Sequence, residues 1–224
     1  MNLQYNNNQN NPQPSSNFKY DTPIEPPKKS FRMNPKFKEN LSTIIILISA
    51  PLLAILLSVF VFRTYQVDGP SMQNTLHDKD RLIINKLPKT VSRITGNNYI
   101  PDRYDIIVFE HTGRFSGSNM TEKQIIKRVI ALPGERIVIK DGGVTVYNKE
   151  NPNGFRPDKL GPQSNTVSIT DGNIDETVKN GEIFVMGDNR GNSLDSRAIG
   201  TIRSQDIIGE LVLRIYPFDN WKSF

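Results

Sequence analysis

Twenty-two consecutive residues, Leu41 to Phe62, carry no charged side chain, and no other part of the chain restricts its folding as severely. Wound as an α-helix at 1.5 Å per residue, the run is about 33 Å long and matches the roughly 30 Å hydrocarbon layer of a bilayer. We read it as one transmembrane helix. Pro51 lies in its middle; a helix in water would break there, whereas a spanning helix tolerates proline, usually as a kink. A buried core helix or a cleaved secretory signal fits less well, because the apolar region of a signal is only about 7–15 residues long. Phe62-Arg63-Thr64-Tyr65 also offers no small-x-small cleavage site.

Charge sets the expected orientation. Lys28, Lys29, Arg32, Lys36 and Lys38 crowd the N-terminal flank, whereas only Arg63 lies close on the other side, so the N-terminus is expected in the cytoplasm and everything after Arg63 across the membrane. Residues 1–40 are dominated by Asn, Gln, Pro and Ser and read as a disordered cytoplasmic tail. They hold six Lys or Arg against three acidic residues, so they supply +3 of the net charge of +5. The basic balance is thus a topology and lipid-surface signal, and it does not call for a nucleic-acid partner. The absence of cysteine excludes disulfides, thiolate metal sites and a cysteine nucleophile.

After Arg63 the chain breaks into short segments rich in β-branched residues: Arg81–Asn85, Asp105–Phe109, Ile125–Ala131, Arg136–Ile139, Val144–Tyr147, Thr166–Ile169, Glu182–Met186 and Ile207–Tyr216. This spacing predicts a mostly β domain, an antiparallel sheet or partly open barrel. Residues 63–140 and 181–216 are expected to form the main sheet and residues 141–180 a smaller, loop-rich β insertion, with 217–224 a C-terminal tail. Gly142-Gly143 and Asp171-Gly172 are turn candidates, and the Gly-, Ser- and Thr-rich stretch 111–124 reads as an exposed loop.

Ser71, in Gly69-Pro70-Ser71-Met72, lies nine residues past the apolar run. A serine hydroxyl needs a positioned base to act as a nucleophile. The chain has only two histidines, His77 and His111; neither has an evident carboxylate orienter, and both read as surface residues. No His, Asp and Glu cluster stands at metal-ligand spacing. Lysine remains, but it starts near pKa 10.4 and must fall to about 7–8 to accept a proton at neutral pH. In the strand Ile125–Ala131, a period of two puts Lys127 on the face of Ile125 and Val129, and Arg128 on the face of Ile126 and Ile130. The pattern leaves two environments open: an apolar pocket, or a stem that snorkels to water. The polar run Asp188–Arg197, after Glu182–Met186, is either a solvated loop or a set of hydrogen-bonding groups that orient a catalytic pair.

In order along the chain, the apolar anchor, Gly69-Pro70-Ser71-Met72-Gln73-Asn74-Thr75-Leu76, Arg103–Phe109, Lys127–Glu135 and Gly187–Arg197 resemble the bacterial type I signal peptidases. The likeness spans about residues 41–216. It implies a membrane-anchored serine endopeptidase in which Ser71 attacks the scissile carbonyl and Lys127 is the general base, with no metal or cofactor. It further implies that Ser193 hydrogen-bonds that lysine and that Asp195 and Arg197 support the site as an ion pair. Val67, Asp68, Met72, Leu76 and Ile126 would line a groove for the small side chains at −1 and −3 of a signal sequence. Gly69 stands where some members have a serine that helps hold the oxyanion, which leaves the Ser71 N–H as the main donor; Gly191 stands where many have an aspartate. The implied partners are exported preproteins and the lipid bilayer, close to the protein translocation machinery, at a bacterial plasma membrane or an internal membrane such as a thylakoid. Two other functions share these features: a self-cleaving serine-lysine repressor, for which residues 1–40 show no helix-turn-helix pattern, and an inactive membrane-tethered β domain that only binds partners.

Overall fold

The computed structural model describes residues 35–113, 121–164, 167 and 169–224. Helix α1 (Pro35–Leu56) contains Pro51 and runs into a π-helical turn, Leu57–Val61. It begins six residues before the expected span. The large apolar side chains between Leu41 and Phe60 are exposed, Leu47 by 73%, and an apolar surface this continuous belongs against lipid. There is no flexible tether after it: Phe62 already opens strand β1 (Phe62–Gln66).

β1 is followed by β2 (Arg81–Asn85), helix α2 (Leu87–Thr95), β3 (Ile106–Gly113) and β4 (Thr121–Ala131). Next come β5 (Arg136–Lys140), β6 (Gly143–Tyr147), the short helix α3 (Pro157–Leu160), β7 (Ile174–Thr177) and β8 (Glu182–Met186). The chain ends with α4 (Ser196–Ile199), β9 (Ile202–Arg203), β10 (Ile207–Tyr216) and β11 (Lys222–Ser223). The main sheet is antiparallel in the order β1-β2-β10-β3-β4-β8-β9, with β11 on β10. It does not close, because β1 and β9 end the path without pairing to each other.

Both faces of this sheet are covered, which explains why its central strands read as unbroken apolar runs. Ile106 and Val108 join Val67, Met72, Leu82 and Leu211 on one face, while Ile107 and Phe109 join Val129, Val185 and Ile207 on the other. A second sheet, β6-β5-β7, packs Ile137, Ile139, Val144 and Val146 against Ile130, Phe184 and Met186.

The sequence reading is corrected in several places. β5 pairs with β6 and β7 and so belongs to the small sheet, whereas the sequence expectation groups residues 63–140 with the main one. The β5–β6 turn falls on Asp141-Gly142, both at positive φ, one residue before the expected pair. Residues 111–113 and 121–124 are paired strand rather than loop; 114–120 lie outside the described residues. Val167 and Ile169 are not in a strand, and Thr166 and Ser168 lie outside the described residues.

Candidate active site

Ser71 begins a turn that β1 and β2 hold at the mouth of the sheet. Gly69 enters it at φ +91°, a left-handed conformation open to glycine and strained for other residues, and its N–H donates to Asp78 Oδ1 at 3.1 Å. The turn then closes on itself through Gln73 N–H to Pro70 O at 3.0 Å and Leu76 N–H to Met72 O at 2.8 Å. Met72 and Leu76 are fully buried in the core beneath it. They anchor the turn and do not line the groove expected of them, because a helix-like spacing of four turns both inward.

Lys127 sits in β4 opposite Ile107 and is only 3% exposed. Its Nζ lies 2.7 Å from Ser71 Oγ and 2.8 Å from Ile126 O. Burial lowers the amine from 10.5 to about 8; Asp195 and Asp188 pull it back up, and Lys123 pushes it further down. The apolar alternative for Lys127 is therefore the one realised. Around the pair is a cavity of about 320 Å³ lined by Val67, Asp68, Gly69 and Ile126 together with Ser71 and Lys127. Among the described residues no acceptor takes the Ser71 N–H.

The polar run after β8 wraps this pair instead of standing in water. Asn189 N–H donates to Ser71 O at 3.1 Å. Asp195 accepts from Arg197 Nε and Nη2, each at 2.9 Å, and from Gly187 N–H at 3.0 Å. Burial alone would raise its carboxyl, but Arg197 and the Gly187 N–H, with the nearby Ser193 hydroxyl, hold it below the usual carboxylate range. Ser193 Oγ is buried with no partner in hydrogen-bonding geometry, so the expected bond to Lys127 is not formed. Gly187 explains the tight fit: a Cβ there would come within 2.2 Å of Ser193 Oγ and 2.5 Å of Ser71 O.

Four contributors escaped the sequence reading as site residues. Arg128 and Asp188 form a buried bidentate pair, Nε to Oδ1 at 2.8 Å and Nη2 to Oδ2 at 2.6 Å, and Thr75 Oγ1 donates to Asp188 Oδ2 at 2.5 Å. Gly187 is the fourth. A signal was present: an arginine between Lys127 and Val129 in an apolar strand must find a buried acid, and Asp188 heads the polar run. His77 is exposed, as expected, while His111 is half-buried in β3. No cluster of His, Asp and Glu suited to a metal occurs among the described residues.

Residues 40–216 match the family described as signal peptidase, peptidase S26. This chain belongs to that family. It is 35% identical to signal peptidase I T of Bacillus subtilis over 185 residues, covering 79% of this chain and 85% of the relative. Signal peptidase I of Bacillus caldolyticus is 35% identical over 167 residues, 72% of this chain and 84% of the relative. A probable signal peptidase I-1 of Synechocystis is 33% identical over 186 residues, covering 82% and 85%. In this signal peptidase family member the matched region includes the apolar run Asn40–Val61 and strands β1 to β10.

Proposed function

We propose that the chain is a membrane-anchored endopeptidase that removes signal peptides from exported preproteins, with Ser71 as nucleophile and Lys127 as general base. The observation that carries this reading is the 2.7 Å separation of Lys127 Nζ and Ser71 Oγ, with the amine lowered to about 8. The neutral amine accepts the Ser71 proton as Oγ attacks the scissile carbonyl. The Ser71 N–H stabilises the resulting oxyanion. Lys127 then protonates the departing amine, leaving an acyl-enzyme, and takes a proton from the water that hydrolyses it. No metal or cofactor enters.

Substrate binding follows from an unpaired strand edge. β4 pairs with β3 from Thr121 to Arg128 but with β8 only from Arg128 onward. Val129 turns its N–H and C=O toward the β3 side, bonding Asp105 O and Tyr104 N; by alternation Gln124 and Ile126 turn theirs the other way, where no strand of the described residues pairs with them, although Ile126 O also accepts from Lys127 Nζ. An extended preprotein segment fits there, between residues 66–70 and 124–127, held by main-chain hydrogen bonds. Val67 and Ile126 offer shallow apolar walls for small −1 and −3 side chains. We place the β domain on the outer side of a bacterial plasma membrane or inside a thylakoid-like one, near the translocation machinery, with the N-terminus cytoplasmic. Purified protein in detergent, incubated with a preprotein, is expected to lose cleavage on Ser71→Ala or Lys127→Ala. Full activity in either variant would overturn the reading.

A further inference from the structure

Helix α2 has an apolar stripe on which none of the described residues packs closely enough to bury it. Asn85 Oδ1 accepts the Leu87 N–H at 3.0 Å, Pro88 occupies the first turn, and Gly96 in the left-handed region closes the helix. At 100° per residue, Leu87, Val91 and Ile94 fall within an arc of about 60°, with Lys89 and Arg93 on the opposite side. The polar side is fixed to the β domain, since Lys89 Nζ donates to Ser204 O at 2.6 Å. The stripe therefore points away from it, and Leu87, Val91 and Ile94 are 44%, 47% and 80% exposed.

The position of α2 says what covers the stripe. Lys86 N–H donates to Val61 O at 2.6 Å, Thr90 Oγ1 donates to Phe60 O at 3.0 Å, and Lys86 Nζ donates to Val59 O. These carbonyls belong to the final turn of the apolar span, Asn40–Val61, whose side chains Val59 and Phe60 are themselves exposed. We propose that α2 is a lipid-facing helix: Leu87, Val91 and Ile94 enter the boundary between headgroups and acyl chains of the leaflet where the span ends, and so set the height of the β domain over the bilayer. A short helix with one apolar stripe lies in that boundary about 5–10 Å deep. The proposal rests on reading the apolar helix as membrane-spanning.

The chain has no cysteine, so single labels can be placed without background. Full-length variants Ile94→Cys, Leu53→Cys and Lys140→Cys, each carrying an environment-sensitive dye, are reconstituted in phosphatidylcholine/phosphatidylglycerol vesicles and quenched with aqueous iodide or with lipids brominated on the acyl chain. The dye at position 94 is expected to be quenched by brominated lipid as that at 53 is, and to be several-fold less sensitive to iodide than that at 140. Equal iodide sensitivity at 94 and 140, with 53 still quenched by lipid, overturns the proposal alone. Shielding of position 94 from both quenchers means that a second copy of the chain covers the stripe and also overturns it. Failure of lipid quenching at 53 removes the spanning reading, and the proposal with it.

Discussion

Replacing Lys127 with methionine removes the amine while keeping an unbranched side chain of similar length in β4. In the wild type the folded state holds this lysine at about 8, against 10.5 as its ordinary value, a difference of about 3 kcal/mol at about 1.4 kcal/mol per pH unit. The unfolded chain keeps that proton up to its ordinary value, whereas the folded chain releases it near 8. The penalty on folding is therefore complete below pH 8, shrinks as the pH rises through the window, and is gone above about 10.5. Methionine has no such penalty but loses the contacts to Ser71 Oγ and Ile126 O, each worth about 1 kcal/mol. The variant is thus expected to be more stable than wild type at pH 7 by about 1–2 kcal/mol and less stable above pH 10.5, with no peptidase activity at any pH. The pH dependence of the difference does not depend on the exact value of those lost contacts. Thermal melting of both full-length proteins in detergent micelles measures it: at about 2–4 °C per kcal/mol for a chain of this size, the gap in Tm is expected to move by about 6–12 °C between pH 7 and 10.5. A gap that stays constant across that window would refute a buried amine held neutral by desolvation. If Lys127 is the base proposed above, wild-type cleavage is expected to rise about tenfold per pH unit below 8 and to level off above it.

Asp195→Asn removes a charge that raises the Lys127 amine, so the acid limb of the cleavage profile is expected to move to lower pH in the full-length enzyme; an unmoved limb would show that Asp195 acts only through loop geometry. Gly187→Ala brings a methyl within 2.5 Å of Ser71 O and 2.2 Å of Ser193 Oγ, and a displacement of the nucleophile on this scale is expected to lower kcat about a hundredfold. Steady-state kinetics with a fixed preprotein peptide read this loss, and a kcat within twofold of wild type would mean the turn yields without moving Oγ.

How much of the fold is legible in the sequence depends on whether the deciding interaction is local. Strands such as Arg81–Asn85, Val144–Tyr147, Glu182–Met186 and Ile207–Tyr216 are legible because β-branched runs bounded by turn residues need no partner to be recognised, whereas Ile174–Thr177 carries no such run. Ser71 and Lys127 were paired by family likeness, since spacing alone left Lys127 either buried or snorkelling. β1 was missed because Phe62–Gln66 extends an apolar run and has no alternation before Arg81–Asn85 claims it as an edge. α2 was missed because nine residues with Pro88 near the start and only three apolar positions fall below the length at which helical periodicity stands out. Met72 and Leu76 were misplaced for a different reason. Their side chains flank the nucleophile in sequence, and only the turn through Gln73 and Thr75 decides that both point into the core.

The same distinction explains why the ionic frame of the site was hard to read, and why it is there. Two carboxylates, Asp195 and Asp188, stand close enough to Lys127 to favour its charged form, which works against its proposed role as a base. Each is held by an arginine of its own: Arg197 on Asp195 with both nitrogens at 2.9 Å, and Arg128 on Asp188 at 2.8 and 2.6 Å. Burial is the largest influence on the amine and outweighs the pull of both carboxylates, so the lysine is lowered. The acids hold the loop in place: Asp195 accepts the Gly187 N–H within the loop after β8, and Asp188 accepts the Thr75 hydroxyl, which ties that loop to the Ser71 turn. Breaking a buried pair of this kind by removing one partner costs about 3–5 kcal/mol. In the candidate site the arginines therefore hold buried the carboxylates that fix the loop.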